Sequence, residues 1–128
     1  MAPLIYLDTH VVAWLYATGA GALSPRAADA IDTSEDLRIS PIVRLELQYL
    51  FEIGRVGEPA VTVVDALAGT LGLTICTAPF ASVVYEAEKV AWTRDPFDRL
   101  IVAQAGVHAA PLVTKDDTLR AHYSGAVW

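Results

Sequence analysis

The chain is predicted to fold as an α/β sandwich around a mainly parallel sheet. Short, nearly continuous apolar runs such as Leu4 to Leu7 and Leu73 to Cys76 suit strands buried on both faces. Stretches of helical length, several opened by a cap residue followed by proline, separate these runs. The 128 residues contain no repeat, linker or low-complexity segment, so residues 1–128 are read as one domain long enough to bury a core.

In chain order, Leu4-Ile5-Tyr6-Leu7 is a central strand ending in Asp8. Thr9 is placed as a cap, and Val11 to Tyr16 as a short apolar helix stopping before Gly19 and Gly21. Ser24-Pro25 opens a helix to about Asp32 with Arg26 and Asp29 outward. Leu37-Arg38-Ile39 is a strand, after which Ser40-Pro41 opens a long helix to about Ile53, closed by Gly54. On that helix Ile42, Leu45, Tyr49, Leu50 and Ile53 recur at helical spacing with Glu46 in their stripe. A second apolar stripe runs through Val43, Leu47 and Phe51, while Arg44, Gln48 and Glu52 mark the wet face. Glu58-Pro59 starts a helix to about Thr70, Leu73 to Cys76 forms a strand, and Thr77-Ala78-Pro79 starts a helix ending near Trp92. A further helix opens at Asp95-Pro96 and is apolar on almost every side from Leu100 onward. Leu112-Val113-Thr114 is a strand closed by Lys115-Asp116-Asp117. A helical turn at Leu119 to His122 and a strand at Ala126 to Trp128 finish the chain.

Composition narrows the function classes. Hydrophobic residues make up 54% of the chain and the mean hydropathy is +0.40, so some apolar surface is expected to be covered by a partner or a second copy. Nine basic residues against fifteen acidic ones give a net charge of −6. That argues against nucleic acid held on a broad basic face, but leaves nucleic acid held through bound cations. The uncharged run from Ala66 to Tyr85 is broken by Gly69, Gly72 and Pro79, unlike a membrane span. The start has no leader pattern, and a single cysteine, Cys76, cannot form an internal disulfide. A cytoplasmic setting fits best, and Cys76 is assigned to packing.

Asp8 and Asp116 end strands, Glu46 lies on an apolar helix face, and Asp95 and Asp98 open a helix whose body belongs inside. First-turn acids can simply satisfy free N–H groups. In an open α/β fold, however, strand-to-helix junctions share one sheet edge. If the Asp95 helix points its start there, the acids converge. Two unit charges ~4 Å apart repel by about 4 kcal/mol at an effective dielectric of 20, against a domain stability of about 5–15 kcal/mol. Such a cluster must be protonated, paired with Arg44, Arg99 or Lys115, or neutralised by a cation. All-oxygen donors favour Mg2+ or Mn2+, and phosphodiester hydrolysis is the natural chemistry.

Leu7-Asp8-Thr9-His10, Glu46 in the Ser40-Pro41 helix, Asp95-Pro96-Phe97-Asp98-Arg99-Leu100 and Thr114-Lys115-Asp116 together resemble the PIN-domain ribonucleases, especially the VapC-type toxins of bacterial toxin-antitoxin pairs. The likeness covers nearly the whole chain in order. It implies a PIN-like three-layer α/β/α sandwich and a magnesium- or manganese-dependent endoribonuclease. It also implies a homodimer, neutralised by a small VapB-like antitoxin that blocks its site. Carried over by position, Asp8, Glu46, Asp98 and Asp116 match the family's acidic quartet. Asp8 and Asp98 are then direct metal ligands, with Glu46 and Asp116 completing the shell and helping to activate water. Asp95 competes with Asp98 for its place, and Asp117 with Asp116. Thr9 and Thr114 supply supporting hydroxyls, while Arg99 and Lys115 are candidates to touch RNA phosphates or to pair with the acids.

His10 adjoins the quartet without a partner at metal-ligand spacing; His108 and His122 receive no role. Trp14 and Trp92 are read as core packing or as anchors for a partner. Two other classes compete with the nuclease. A phospho-accepting receiver domain would need an aspartate where Cys76-Thr77 stands. A binding-only module of the same fold would use its acids in salt bridges.

Overall fold

The strands form at Leu4–Leu7 (β1), Asp36–Ile39 (β2), Thr74–Ile75 (β3), Leu112–Val113 (β4) and Ala126–Val127 (β5). In the computed structural model, which describes residues 3–128, they make a five-stranded sheet of order β3-β2-β1-β4-β5. Met1 and Ala2, the first residues of the predicted domain and of the stretch read for a leader, lie outside the described residues. Every pairing is parallel, with Ile5 opposite Leu37, Leu7 opposite Val113 and Ile39 opposite Ile75. Helices Thr9–Thr18 (α1), Pro25–Thr33 (α2), Pro41–Glu52 (α3), Ala60–Leu71 (α4), Phe80–Glu88 (α5), Pro96–Val107 (α6) and Asp117–His122 (α7) connect them. Tyr6, Leu7, Val11, Leu47, Ile101, Leu112 and Leu119 are almost wholly buried in the main core.

The chain moves outward from β1 through β2 to β3, then returns across the sheet to place β4 on the other side of β1. The carboxyl ends of β1 and β4 therefore flank the point where strand order reverses, the usual crevice for ligands in open parallel sheets. Asp8 follows one of these ends and Thr114 to Asp116 follow the other.

Local expectations are corrected at several positions. The α1 cap is Asp8, whose Oδ1 accepts from the Thr9 backbone N–H at 2.7 Å. Thr9 is the first helical residue, which frees its hydroxyl for another partner. On α3 the buried ridge is Val43, Leu47 and Leu50; Leu45 is 58% exposed and Tyr49 and Ile53 are each 48% exposed. The helix has two apolar stripes, and only one can face the core. Gln48, placed on the wet face, accepts from the Ala60 backbone N–H at 3.2 Å and so serves the start of α4, whose capping Pro59 offers no side-chain acceptor. Finally, α5 ends at Glu88, not Trp92. The chain turns there so that Val90 enters the core and the Trp92 ring stacks on His122, centroids 4.7 Å apart.

Candidate functional site

Asp8 is 7% exposed and held on both oxygens. Its Oδ1 accepts from the Thr9 N–H, and its Oδ2 accepts from the Thr114 hydroxyl at 2.6 Å. Thr114 Oγ1 also accepts from the Asp116 N–H at 3.1 Å, so one hydroxyl ties the end of β1 to the loop after β4. Asp116 caps α7 through an Oδ1 bond from the Leu119 N–H. The Thr9 hydroxyl donates to Glu46 Oε1, which brings the middle of α3 to the start of α1. Thr9 and Thr114 thus each donate a hydroxyl to one of the acids.

The helix carrying Asp98 is aligned by α3. Ser40, the α3 cap, donates its hydroxyl to Gln104 Oε1 on α6 at 3.0 Å, while Tyr49 and Phe97 stack with ring centroids 6.2 Å apart. Early α3 thus meets late α6 and late α3 meets early α6, an antiparallel pair that brings the α6 start beside Glu46. Asp95 caps α6, its Oδ1 accepting from the Phe97 and Asp98 N–H groups. With Asp95 used as the cap, the Asp98 side chain makes none of these capping bonds.

Asp8, Glu46, Asp95, Asp98, Asp116 and Asp117 line one open cleft of about 500 Å³ together with His10, Trp14, Lys115 and Arg120. The carboxylates sense one another. Burial first, then Asp95, Asp8, Asp116 and Glu46, push the Asp98 carboxyl up to about 7. Burial also raises Asp8, against the lowering effect of its Thr114 and Thr9 hydrogen bonds. Glu46 is raised by burial and by Asp8, and lowered by the Thr9 hydroxyl.

The expected cations do not neutralise this cluster. Among the described residues the ion pairs are Arg38 with Asp36, Lys89 with Glu86, and Arg120 with Asp117, none of which involves Asp8, Glu46, Asp98 or Asp116. Arg99 donates from Nε to the Thr93 carbonyl at 2.9 Å and is not among the cleft's lining residues, so its assignment to RNA phosphates gains no support. The Lys115 ammonium does reach the cleft, but lies 5.9 Å from the centres of both the Trp14 and Trp128 rings. Among the described residues no three acidic, histidine or cysteine side chains are gathered as closely as a metal ion would hold them.

The PIN-domain family model matches residues 5–124. The chain belongs to the PIN-domain family. Over 123 residues this PIN domain is 34% identical to Ribonuclease VapC22 of Mycobacterium tuberculosis, covering 92% of this chain and 91% of that protein. Solved structures share the fold at low identity. The VapBC2 complex of Rickettsia felis bound to a promoter DNA fragment aligns with a TM-score of 0.62 at 20% identity, over 96% of this chain and 95% of that one. The DNA-bound VapBC of Salmonella typhimurium aligns at 0.63 and 20%, over 97% and 95%. A toxin-antitoxin complex of Klebsiella pneumoniae aligns at 0.64 and 17%, over 97% and 96%.

Sequence reasoning set His10 beside the acids but missed Trp14 and Arg120 as walls of the PIN domain's cleft. His10 and Trp14 stand four residues apart, hence on one face of α1. Arg120 follows the capping Asp116 by the same interval, and that i, i+4 spacing from a site acid was the available signal.

Proposed function

We propose that this chain is a divalent-cation-dependent endoribonuclease, the toxin of a toxin-antitoxin pair, with Asp8, Glu46, Asp98 and Asp116 as its catalytic and cation-holding residues. The observation that carries the reading is the convergence of these four carboxylates in one cleft with no lysine or arginine in ion-pair contact with them. Clustered carboxylates in that state, with Asp8 buried among them, are stabilised by protonation or by a cation that joins them. An all-carboxylate donor set fits Mg2+ or Mn2+. The kinship with a ribonuclease supports RNA as substrate, and the likeness to VapBC assemblies supports a VapB-like antitoxin partner.

In this reading Asp8 and Asp98 would hold the ion, and Glu46 and Asp116 would complete its surroundings. The bound ion would supply Lewis acidity, neutralising a phosphate oxygen and lowering the pKa of water. Thr114 holds Asp8 Oδ2 and Thr9 fixes Glu46 Oε1. With Oε1 engaged, Glu46 would use Oε2 to take a proton from the attacking water. The exposed apolar face at Leu45, Tyr49 and Ile53 supports a homodimer. No helix among the described residues is long and apolar enough to cross a membrane, and a cytoplasmic setting fits an RNA substrate.

The test is cleavage of RNA by the chain purified free of partner, with Mn2+ or Mg2+ against EDTA, beside D8N. Cation-dependent internal cuts that D8N abolishes, without loss of folding, are expected. Absence of cation-dependent cleavage by the unsubstituted protein would leave a binding-only module of the same fold.

A further inference from the structure

Resting on the nuclease reading, the geometry points to a base-stacking subsite at the rim of the cleft: Trp14, flanked by His10 and Trp128, receives an unpaired nucleobase next to the scissile phosphate.

Several features converge on Trp14. It is half-buried and packs against the core on one side, so the indole is held in place with part of its surface open. Its ring lies 5.9 Å from Trp128 and 6.0 Å from His10, both tilted, which makes an aromatic wall rather than an isolated ring. His10 and Trp14 line both the acidic cleft and an adjoining apolar groove of about 390 Å³, a volume in the range that takes a small organic ligand. The cleft suits the phosphate and the groove suits the base, and these two side chains form the boundary between them.

Charge placement agrees with this. The Lys115 ammonium sits at the outer edge of cation–π range from both indoles, a weak contact that a stacking base can replace while the ammonium turns to a phosphate. Arg55 lines the groove and is exposed, and it takes part in none of the ion pairs among the described residues. A cation therefore stands at each end of the track, which suits an extended nucleotide strand better than an isolated apolar ligand. Stacking on an aromatic wall needs an unpaired base, which a duplex withholds.

The test uses a single-stranded oligoribonucleotide that the unsubstituted protein cuts in Mn2+, and the same oligonucleotide with abasic sites placed one at a time around the cut. W14A is expected to lower kcat/KM roughly 5- to 150-fold, the equivalent of ~1–3 kcal/mol for one base–aromatic stack. W14F is expected to recover most of the loss. One abasic position should reproduce the loss in the unsubstituted protein and add nothing in W14A. The abasic scan needs no variant, so a folding defect in W14A cannot decide the matter. Cleavage insensitive to W14A and to every abasic position would overturn the subsite while leaving the nuclease reading intact. Normal cleavage by W14A with loss of a protein partner's inhibition would assign the groove to that partner and also overturn it. Failure of the unsubstituted protein to cut would instead remove the nuclease reading beneath it.

Discussion

Thr114 Oγ1 donates to Asp8 Oδ2 across 2.6 Å, joining residues 106 positions apart at the ends of two adjacent strands. The bond favours the charged carboxylate against the burial that raises its pKa. With the Thr9 N–H on Oδ1, it also fixes the orientation of the carboxylate.

T114V is therefore expected to weaken Mn2+ binding by about 10- to 100-fold, as loss of a group that orients a metal ligand typically does. T114S should restore most of the affinity. A Mn2+ titration of RNA cleavage reads both, and equal Mn2+ requirements for T114V and the unsubstituted protein would contradict the assignment.

The raised Asp98 carboxyl sets a pH dependence for the cation-free protein. The folded chain keeps a proton on Asp98 up to about 7, whereas its ordinary value is 3.8. Between those values the folded state binds more protons than the unfolded one, so stability falls as pH rises through the window and levels off above it. Asp8 and Glu46 are shifted in the same direction and add to the slope. Urea unfolding in EDTA across this range should show the decline, and D98N should flatten it.

Added Mn2+ should reverse the loss. Because proton and cation compete for the same carboxylates, the rise in Tm on adding Mn2+ is expected to be larger at pH 8 than at pH 5 and to vanish with EDTA. In D8N and D98N the rise should shrink sharply. A cation effect that is unchanged in both variants would locate the ion elsewhere.

Leu45, Tyr49 and Ile53 form an exposed apolar strip on α3, extended by the stack of Tyr49 on Phe97. The double substitution L45E/I53E, which leaves the Tyr49–Phe97 stack in place, is expected to shift the purified chain from dimer to monomer in sedimentation analysis. A dimer that survives both charges would place the contact on another face.

The order of elements was legible because strand and helix starts are local events. Ser24-Pro25, Ser40-Pro41 and Asp95-Pro96 each open a helix at the expected residue, and each apolar strand run joined the sheet. The choice between the two stripes of α3 was not legible. Both have helical spacing, and what selects Val43 and Leu47 over Leu45 and Tyr49 is the position of the elements that α3 packs against. The roles of Thr9 and Asp8 were exchanged for a related reason. Either can cap α1, and the decision depends on Glu46, 37 residues beyond Thr9.

The amino-acid sequence by itself determined the α/β class and the element order, since these depend on periodicity, caps and residue chemistry within a few positions. Tertiary structure alone decided that Asp98 meets the other acids at one cleft, and that Arg99 turns to the Thr93 carbonyl while Lys115 hangs beside two indoles. Those outcomes depend on the antiparallel seating of α6 on α3 and on the return of the chain across the sheet. Distances between residues far apart in sequence have no local signature, because they are fixed only when the packed elements share one core.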